Sequence, residues 1–505
     1  MYNSADVTWT LVAAFMVFFM QAGFAMVETG FTRAKNAGNI IMKNLMDFAI
    51  GTPLFWLTGF GIMFGGAGAF IGGFDPLVRG DYSGILPAGV PLPAYLIFQT
   101  VFCATAATIV SGAMAERTKF LADCVYSGVI SAVVYPIEAG WVWNSQGWLV
   151  QFGYVDFAGS SVIHMVGGLA ALIGAWMLGP RIGKYTREKD GRIQVNAIPG
   201  HSLTMGALGC FILWFCWYGF NGAAAQLAQI LGNTTLAPAV ATFTCMVFTW
   251  VRSGKPDVSM CLNASLAGLV GITAPCATVD ALGAILIGAV DGILVVLVVE
   301  LLDFKLHVDD PVGAVAVHCA NGIWGTLADG LFNTSSGLLY GGGLYHLGVQ
   351  CMGVAAIAAY ASVSMFLVFK FIDKTIRLRV SAEDEIIGLD ITEHALASAY
   401  ADFRPAAPSA LGGEGAGGPV DLSGLVPAAL ESRPAPDPSG RKLTKVTIIC
   451  REERFSILKD TMAAIGVTGM TVSNVMGCGT QLGKVGQYRG VKMSMNLLPK
   501  IQVDI

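Results

Sequence analysis

Long apolar stretches alternate with short polar junctions along most of the chain. Each stretch has about 17 to 25 residues, the length at which a helix crosses the hydrocarbon layer of a membrane. Eleven such windows begin near Val7, Ile40, Leu92, Leu121, Ser160, Leu203, Leu236, Ser259, Leu282, Val312 and Leu344. The pattern predicts an all-α membrane protein with eleven transmembrane helices, the first of which is retained because it lacks the basic start of a signal peptide.

Basic residues occur at every second junction, as at Arg33 to Lys43, Arg181 to Arg192 and Lys370 to Arg379. Because cytoplasmic junctions carry the excess of Lys and Arg, the N-terminus is expected outside and the C-terminus inside. We expect the chain in the plasma (inner) membrane of a prokaryote.

The composition agrees with a lipid bilayer as the surroundings. The chain of 505 residues is 54% hydrophobic and 13% charged, against about 25% charged in a typical soluble domain. Its 63 glycines suit helices that pack closely in lipid. Nucleic acid is not an expected partner, and the eleven scattered cysteines are interpreted as small core residues.

Two histidines fall inside apolar windows, and each follows an aspartate by eight positions. The pairs are Asp156 with His164 and Asp310 with His318. An ionisable residue inside a membrane helix is a functional candidate, and histidine can both donate and accept a hydrogen bond. The predicted topology orients the two segments oppositely, which indicates a five-plus-five inverted repeat with the eleventh helix left over.

The chain changes character after the last apolar window. We expect a membrane domain over 1–380, a charged cytoplasmic tail over 381–402 and a disordered Pro/Gly/Ala linker over 403–442. Residues 443–505 then alternate as a strand over Thr444 to Cys450, a helix over Phe455 to Ile465, and a strand over Met470 to Met476. A glycine-rich loop and a last strand follow, which together predict a small α+β segment of half-ferredoxin-like type.

Several motifs resemble a known family. Asp156 to His164, Asp309 to His318 and Trp217-Tyr-Gly-Phe-Asn221 resemble the ammonium transporter (Amt/MEP/Rh) family, and Ser381 to His394 resembles its cytoplasmic tail. The resemblance implies transport of ammonium or ammonia by a homotrimer with one pore in each subunit.

The same resemblance assigns roles to residues of the pore. Trp148 corresponds to the cation–π residue that recruits ammonium, Phe102 and Phe220 to a stacked phenyl gate, and Asp156 to a buried carboxylate below it. His164 and His318 are then implied to face each other across the pore. On the residues alone, Trp148 could belong to an interfacial belt, the two phenylalanines to the core, and Asp156 to a helix cap.

Four further positions bear on the site. Ala224 stands where many family members have a serine that helps to hold the ion, so we expect weaker external binding with conduction retained. Asn263 and Thr273 are interpreted as bonding neighbouring backbone, and Glu28 as a structural partner.

Residues 466–505 resemble the first half of a PII nitrogen-signalling protein, through Gly469-Met-Thr-Val-Ser473, Tyr488-Arg-Gly490 and Leu498-Pro-Lys500. Gln481 and Lys500 match positions that contact nucleotide or 2-oxoglutarate in that family, and Arg489 matches the arginine that plugs a transporter's inner mouth. Binding of either effector is not expected, because the family's basic nucleotide-binding loop lies beyond the residues matched. The segment either gates its own pore or is a remnant, and a PII-type protein acting in cis or in trans is the expected regulatory partner.

Other function classes find less support. An ammonium sensor that signals through its tail with little flux is the main alternative to a transporter. A metal protein built on the two histidines lacks further ligands at suitable spacing. An enzyme is not expected, because no nucleophile, base and orienting group recur together.

Overall fold

The computed structural model describes residues 2–222, 227–396, 399–400, 445–450, 452–467, 469–477, 485–488, 491–494 and 498–505. The chain divides into a helical unit over Met1–Asp402 and a C-terminal unit carried by Phe403–Gly486 and Lys492–Ile505. The predicted linker, 403–442, lies outside the described residues.

Helices form the first part of the helical unit. They are α1 (Ser4–Phe31), α2 (Ala37–Leu54), α3 (Phe60–Phe64), α4 (Leu92–Ala113), α5 (Phe120–Val129), α6 (Tyr135–Trp143), α7 (Trp148–Gln151) and α8 (Val166–Leu178). π-Helical turns at Phe55–Gly59 and Ile130–Val134 continue α2 into α3 and α5 into α6, and another at Ser160–Met165 leads into α8.

The second part begins after a short hairpin of β1 (Tyr185–Arg187) and β2 (Ile193–Val195), which pair antiparallel within a basic junction. The helices that follow are α9 (Leu203–Asn221), α10 (Leu227–Ser253), α11 (Val258–Thr273), α12 (Ala281–Leu301), α13 (Asn321–Phe332), α14 (Leu344–Thr375), α15 (Ala382–Ile387) and α16 (Leu389–His394). A π-helical turn at Val315–Ala320 leads into α13.

Within the described residues, nine continuous helical stretches are long and apolar enough to cross a membrane. Two predicted windows are also helical but shorter: α11 has 16 residues, and α13 has 12 after its π-helical turn. The mostly helical membrane fold is therefore confirmed, whereas the count of eleven spans remains a prediction.

Glycines bring the first and ninth helices into backbone contact. A Cβ added to Gly209 would lie 2.6 Å from the carbonyl oxygen of Gly23, so even alanine would force α9 away from α1. This is the close approach that small residues permit in lipid, where dispersion contacts and not the hydrophobic effect hold helices together.

Buried charges join the helix ends at one face of the helical unit, which we call the basic face. Arg181 pairs with Glu116 at 2.8 Å and with Asp309 at 2.8 Å, and Arg33 also pairs with Glu116. Burial opposes ionisation of Asp309, but the guanidinium groups of Arg181 and Arg117 hold its pKa well below the usual range. The network fixes the start of the segment that carries His318.

The tail helices cover part of this face. The Asp390 carboxylate of α16 accepts hydrogen bonds from the backbone N–H groups of Gly38, at 3.1 Å, and Asn39, at 2.8 Å, at the start of α2. It therefore satisfies amide groups that a helix N-terminus leaves unpaired. Arg379 and Glu385 form an ion pair at 2.7 Å beside it.

The C-terminal unit is a small α+β fold. Its elements are β3 (Thr447–Cys450), α17 (Glu452–Ala464), β4 (Thr471–Gly477), β5 (Val485–Tyr488), β6 (Val491–Ser494) and β7 (Leu498–Asp504). β7 lies between β3 and β4 and pairs antiparallel with both, while β5 pairs with β6. Two sequence interpretations were wrong here: the glycine-rich loop contains β5, and the single last strand is divided into β6 and β7.

Candidate functional site

The two histidines lie next to each other although 154 residues separate them. His164 and His318 each sit in a π-helical turn at the start of a helix, and their Nδ1 atoms are 3.2 Å apart. Their rings are nearly parallel, with centroids 5.2 Å apart, and both side chains are buried. The structure thus brings together the pair that the repeated spacing predicted.

The two segments cross in opposite directions. Gly168, after His164, packs on the backbone of Cys319, and Gly322, after His318, packs on that of Ser160. Side chains at either glycine would collide with the facing backbone, so the close crossing depends on both. An inverted repeat would produce this arrangement.

The hydrogen bond between the two rings restricts their protonation. One Nδ1 must donate and the other must accept, so both rings cannot be protonated at Nδ1 together. In the neutral pair one Nε2 is then an acceptor and the other a donor. Nε2 of His164 is buried and has no hydrogen-bond partner among the described residues. The pair therefore offers one ring nitrogen to a small ligand.

Asp156 is held by the turn that it precedes. Its carboxylate accepts hydrogen bonds from the backbone N–H groups of Gly159, Ser160, Ser161 and Val162 and from the Ser161 hydroxyl, at 2.6 to 3.0 Å. Burial raises the pKa of Asp156 above its usual value, and these hydrogen bonds partly offset that rise. Asp156 thus binds the free amides at the start of the fifth span, although the N-cap residue itself is Gly159, and Asp310 plays the same part for Gly313 and Val315.

Two cavities flank the histidine pair. The phenyl cavity has a volume of about 230 Å³ and is lined by Tyr95, Phe98, Phe102, Trp143, Phe220 and Asn221, among others. The carboxylate cavity, of about 20 Å³, is lined by Phe24, Glu28, Gly112, Asn263, Val312 and His318, among others. The second cavity is at the limit for a single water-sized molecule.

Aromatic rings separate the phenyl cavity from His164. Phe102 and Phe220 stack with centroids 4.4 Å apart and an interplanar angle of 17°. Phe220 in turn lies 5.4 Å from the His164 ring, which stacks on Trp217 at 5.0 Å. A molecule that moves from this cavity to the histidine pair must pass the two phenyl rings.

The predicted placement of Trp148 in this cavity is wrong. Trp148 packs against Phe70, Trp141 and Phe152, with ring centroids 5.8 to 6.2 Å away. Trp143 lines the cavity instead, edge-on to Phe102 at 6.0 Å, and its Nε1 donates to the carbonyl of Asp156 at 2.8 Å. α6 ends at Trp143 and α7 begins at Trp148, so the helix is interrupted between them. The two indole rings therefore point in different directions.

Two of the three residues interpreted as structural do form structural bonds. Thr273 donates to the carbonyl of Leu269 at 2.7 Å, as predicted, and Glu28 accepts from Asn44 at 3.2 Å and from Ser111 at 3.0 Å. Asn263 does not bond neighbouring backbone: neither polar atom of its buried amide has a partner among the described residues. That interpretation of Asn263 was wrong, and both Asn263 and Glu28 line the carboxylate cavity.

Residues 8–400, well over half of the chain, match the model of the Ammonium Transporter Family. The chain belongs to the ammonium transporter family. It is 44% identical over 426 residues to Ammonium transporter Amt2 of Archaeoglobus fulgidus, which covers 79% of this chain and 88% of that relative.

Solved structures give the same assignment. This transporter-family chain is similar to Sensor Amt Protein, with 37% identity and a TM-score of 0.72 over 77% of this chain and 98% of that one. It is also similar to Candida albicans Mep2, with 27% identity and a TM-score of 0.68 over 76% of this chain and 88% of that one. At the other end, residues 443–505 match Nitrogen regulatory protein P-II.

Other predicted positions cannot be placed in this site. Ala224, Gln481 and Arg489 lie outside the described residues, and Lys500 falls within β7. Sequence reasoning missed Trp143 and Phe98, and of these Phe98 has a recognisable signal. Phe98 precedes Phe102 by four positions, which places both on one face of α4.

Proposed function

We propose that the chain conducts ammonium across a membrane, taking it up as a cation in the phenyl cavity and passing it as ammonia along His164 and His318. The observation that carries this proposal is the buried imidazole pair, 3.2 Å apart and reached past the stacked phenyl rings. A hydrated cation would lose its water in this apolar passage at a large cost, whereas neutral ammonia does not.

The chemical step is a proton transfer. One N–H bond of ammonium breaks, its electron pair stays on nitrogen, and the proton passes to the unpartnered Nε2 of the histidine pair. Trp143 and the phenyl rings present aromatic faces that attract the cation beforehand, a contact that contributes about 0.5 to 2 kcal/mol. The buried carboxylate of Asp156 adds negative charge below them.

A current measurement tests this proposal. Full-length chain in vesicles should give a transient current when ammonium is added, and His164→Ala or His318→Ala should abolish or strongly reduce it. Asp291→Asn serves as the matched control, because Asp291 is also a buried ionisable residue of a membrane helix but lies outside both cavities. Equal currents in the parent and both histidine variants would refute the proposal.

We further propose a homotrimer in the plasma membrane of a prokaryote, with the phenyl cavity outside and the basic face in the cytoplasm. The charge asymmetry of the junctions supports this orientation. Protease digestion of sealed right-side-out membrane vesicles checks it, because a cytoplasmic C-terminal unit is cleaved there only after the membrane is opened.

An ammonium sensor is the second candidate, and the similarity to Sensor Amt Protein favours it. A sensor would bind ammonium tightly and give little current. The P-II match supports regulation in either case, and we propose that the C-terminal unit acts on its own pore through Arg489. Deleting 443–505, or making Arg489→Ala, should change the current, and an unaltered current would instead indicate a remnant.

A further inference from the structure

The carboxylate cavity holds polar groups that the proposed conduction does not use. It lies beyond His318 from the phenyl rings, and Glu28 reaches it from one turn before the end of α1. That end of α1 is at the basic face, where Arg33 pairs with Glu116. A molecule that leaves the histidine pair on this side therefore meets Glu28.

Asn263 is the first sign of a ligand. Its side chain in α11 is 1% exposed, and both its oxygen and its nitrogen lack a hydrogen-bond partner among the described residues. Buried amides almost always have partners, so an amide without one in the wall of a cavity indicates a group that the cavity binds.

Glu28 supplies the charge. Its Oε2 accepts hydrogen bonds from Ser111 and Asn44, which orients the carboxyl group. Among the described residues no hydrogen bond reaches Oε1. Gly112 makes room for the group, since a Cβ there would lie 3.5 Å from the carboxyl carbon of Glu28 and would collide with Val312.

The surrounding charges favour an added cation. Behind Glu28, the buried Lys43 ammonium pairs with Asp123 at 2.9 Å, and a further buried carboxyl group, Asp47, lies one turn after Lys43 in α2. Three acidic side chains thus share one basic side chain. A small cation near Glu28 would reduce this excess of acid, whereas an anion would increase it.

We propose that Glu28 and Asn263 form a second ammonium-binding site, on the basic-face side of the histidine pair. Glu28 Oε1 and Asn263 Oδ1 accept N–H hydrogen bonds from the ion, and the cavity has room for one molecule of that size. The inference rests on the proposed conduction pathway. It assigns to this site the binding of ammonium that enters from, or leaves to, the basic face.

Currents measured from each side test the site. In vesicles of known orientation, Glu28→Gln and Asn263→Leu should raise the half-saturating ammonium concentration for the basic-face side roughly tenfold, as expected for one charge-assisted hydrogen bond. The value for the phenyl-cavity side should change less than about twofold. Asp291→Asn is the control and should change neither value. No change, or equal changes on both sides, would overturn the site.

A second measurement does not depend on conduction. Thallium(I) has a size close to that of ammonium and scatters X-rays anomalously, so crystals of the full chain soaked in it should show a peak between Glu28 and Asn263. Ammonium should displace the peak, and Glu28→Gln should remove it. Absence of the peak in the parent would refute the site even if currents are normal. A peak in a chain without any current would retain the site and refute the conduction proposal.

Discussion

The His164 segment and the His318 segment share one construction but have different surroundings. In both, an aspartate eight residues before the histidine accepts hydrogen bonds from backbone N–H groups at the start of the π-helical turn or just before it. His164 is enclosed by the rings of Trp217 and Phe220. His318 borders the carboxylate cavity instead, and the centroid of its ring lies 6.1 Å from that of Phe24. The duplicated backbone fixes the pair, and the side chains around it make the two sides different.

The largest expected difference concerns pH, because Asp156, before the first segment, and Asp309, before the second, have pKa values shifted in opposite directions. Arg181 holds the pKa of Asp309 below the ordinary value of about 4, so its contribution to stability is present above pH ~4 and is lost as the pH falls further. Burial raises the pKa of Asp156, so its ionisation costs stability as the pH rises from about 4 through the folded-state pKa.

Two variants separate these effects. Asp309→Asn should destabilise the chain by about 3 to 5 kcal/mol at neutral pH, as removal of one partner of a buried ion pair does, and flatten the stability profile below pH ~4. Asp156→Asn should flatten it above pH ~4, where ionisation of the buried carboxyl group costs stability. Unfolding in detergent across this range measures both, and identical profiles would contradict the comparison.

Truncation of the two histidines should cost unequal amounts of stability. His164→Ala leaves a void between stacked rings and should destabilise the chain by about 3 kcal/mol, while His318→Ala enlarges an existing cavity and should cost about 1 kcal/mol less. Both lose the same interring hydrogen bond, so each is the control for the other. Thermal unfolding midpoints rank them, and a lower midpoint for His318→Ala would reverse the argument.

The two tryptophans at the phenyl cavity give a smaller effect on binding. Trp143→Leu removes an aromatic face from the cavity and should raise the half-saturating ammonium concentration on this side about fivefold, or ~1 kcal/mol. Trp148→Leu is the matched control and should leave that concentration unchanged. The reverse result would restore the role first predicted for Trp148.

The smallest expected effect is at Ala224. Ala224→Ser adds one hydroxyl, which contributes up to about 1 kcal/mol when it forms a neutral hydrogen bond, so external half-saturation should fall by no more than roughly fivefold. Ala223→Ser provides a neighbouring control. An unchanged value for Ala224→Ser would remove the idea that the parent lacks this ligand.

Much of the architecture could be predicted because it depends on local patterns. Hydropathy located the membrane helices, and the repeated spacing of aspartate and histidine located the pair. Trp148 was misplaced because sequence does not show how the break after Trp143 turns the chain. The unpaired amide of Asn263 also could not be predicted, since hydrogen-bond partners depend on which helices meet.

The same limit applies in the C-terminal unit. Its glycines suggested one loop over 477–490. The structure instead has a strand, β5, that begins at Val485 and pairs with β6, which begins at Val491. Only the contact of two short strands with each other decides between loop and hairpin. Gly466, by contrast, follows the end of α17 with a positive φ of 86°, a backbone conformation that favours glycine after a helix.

Each π-helical turn contains one residue more than a regular helical turn would. Removing a single residue from Ser160–Met165 would let the backbone relax into an ordinary α-helix, and the residues within the turn would then face different directions. The amides that Asp156 now binds lie at the start of this turn and would move with it. Homologous chains should accordingly tolerate amino-acid replacements in these turns far more readily than changes in their length.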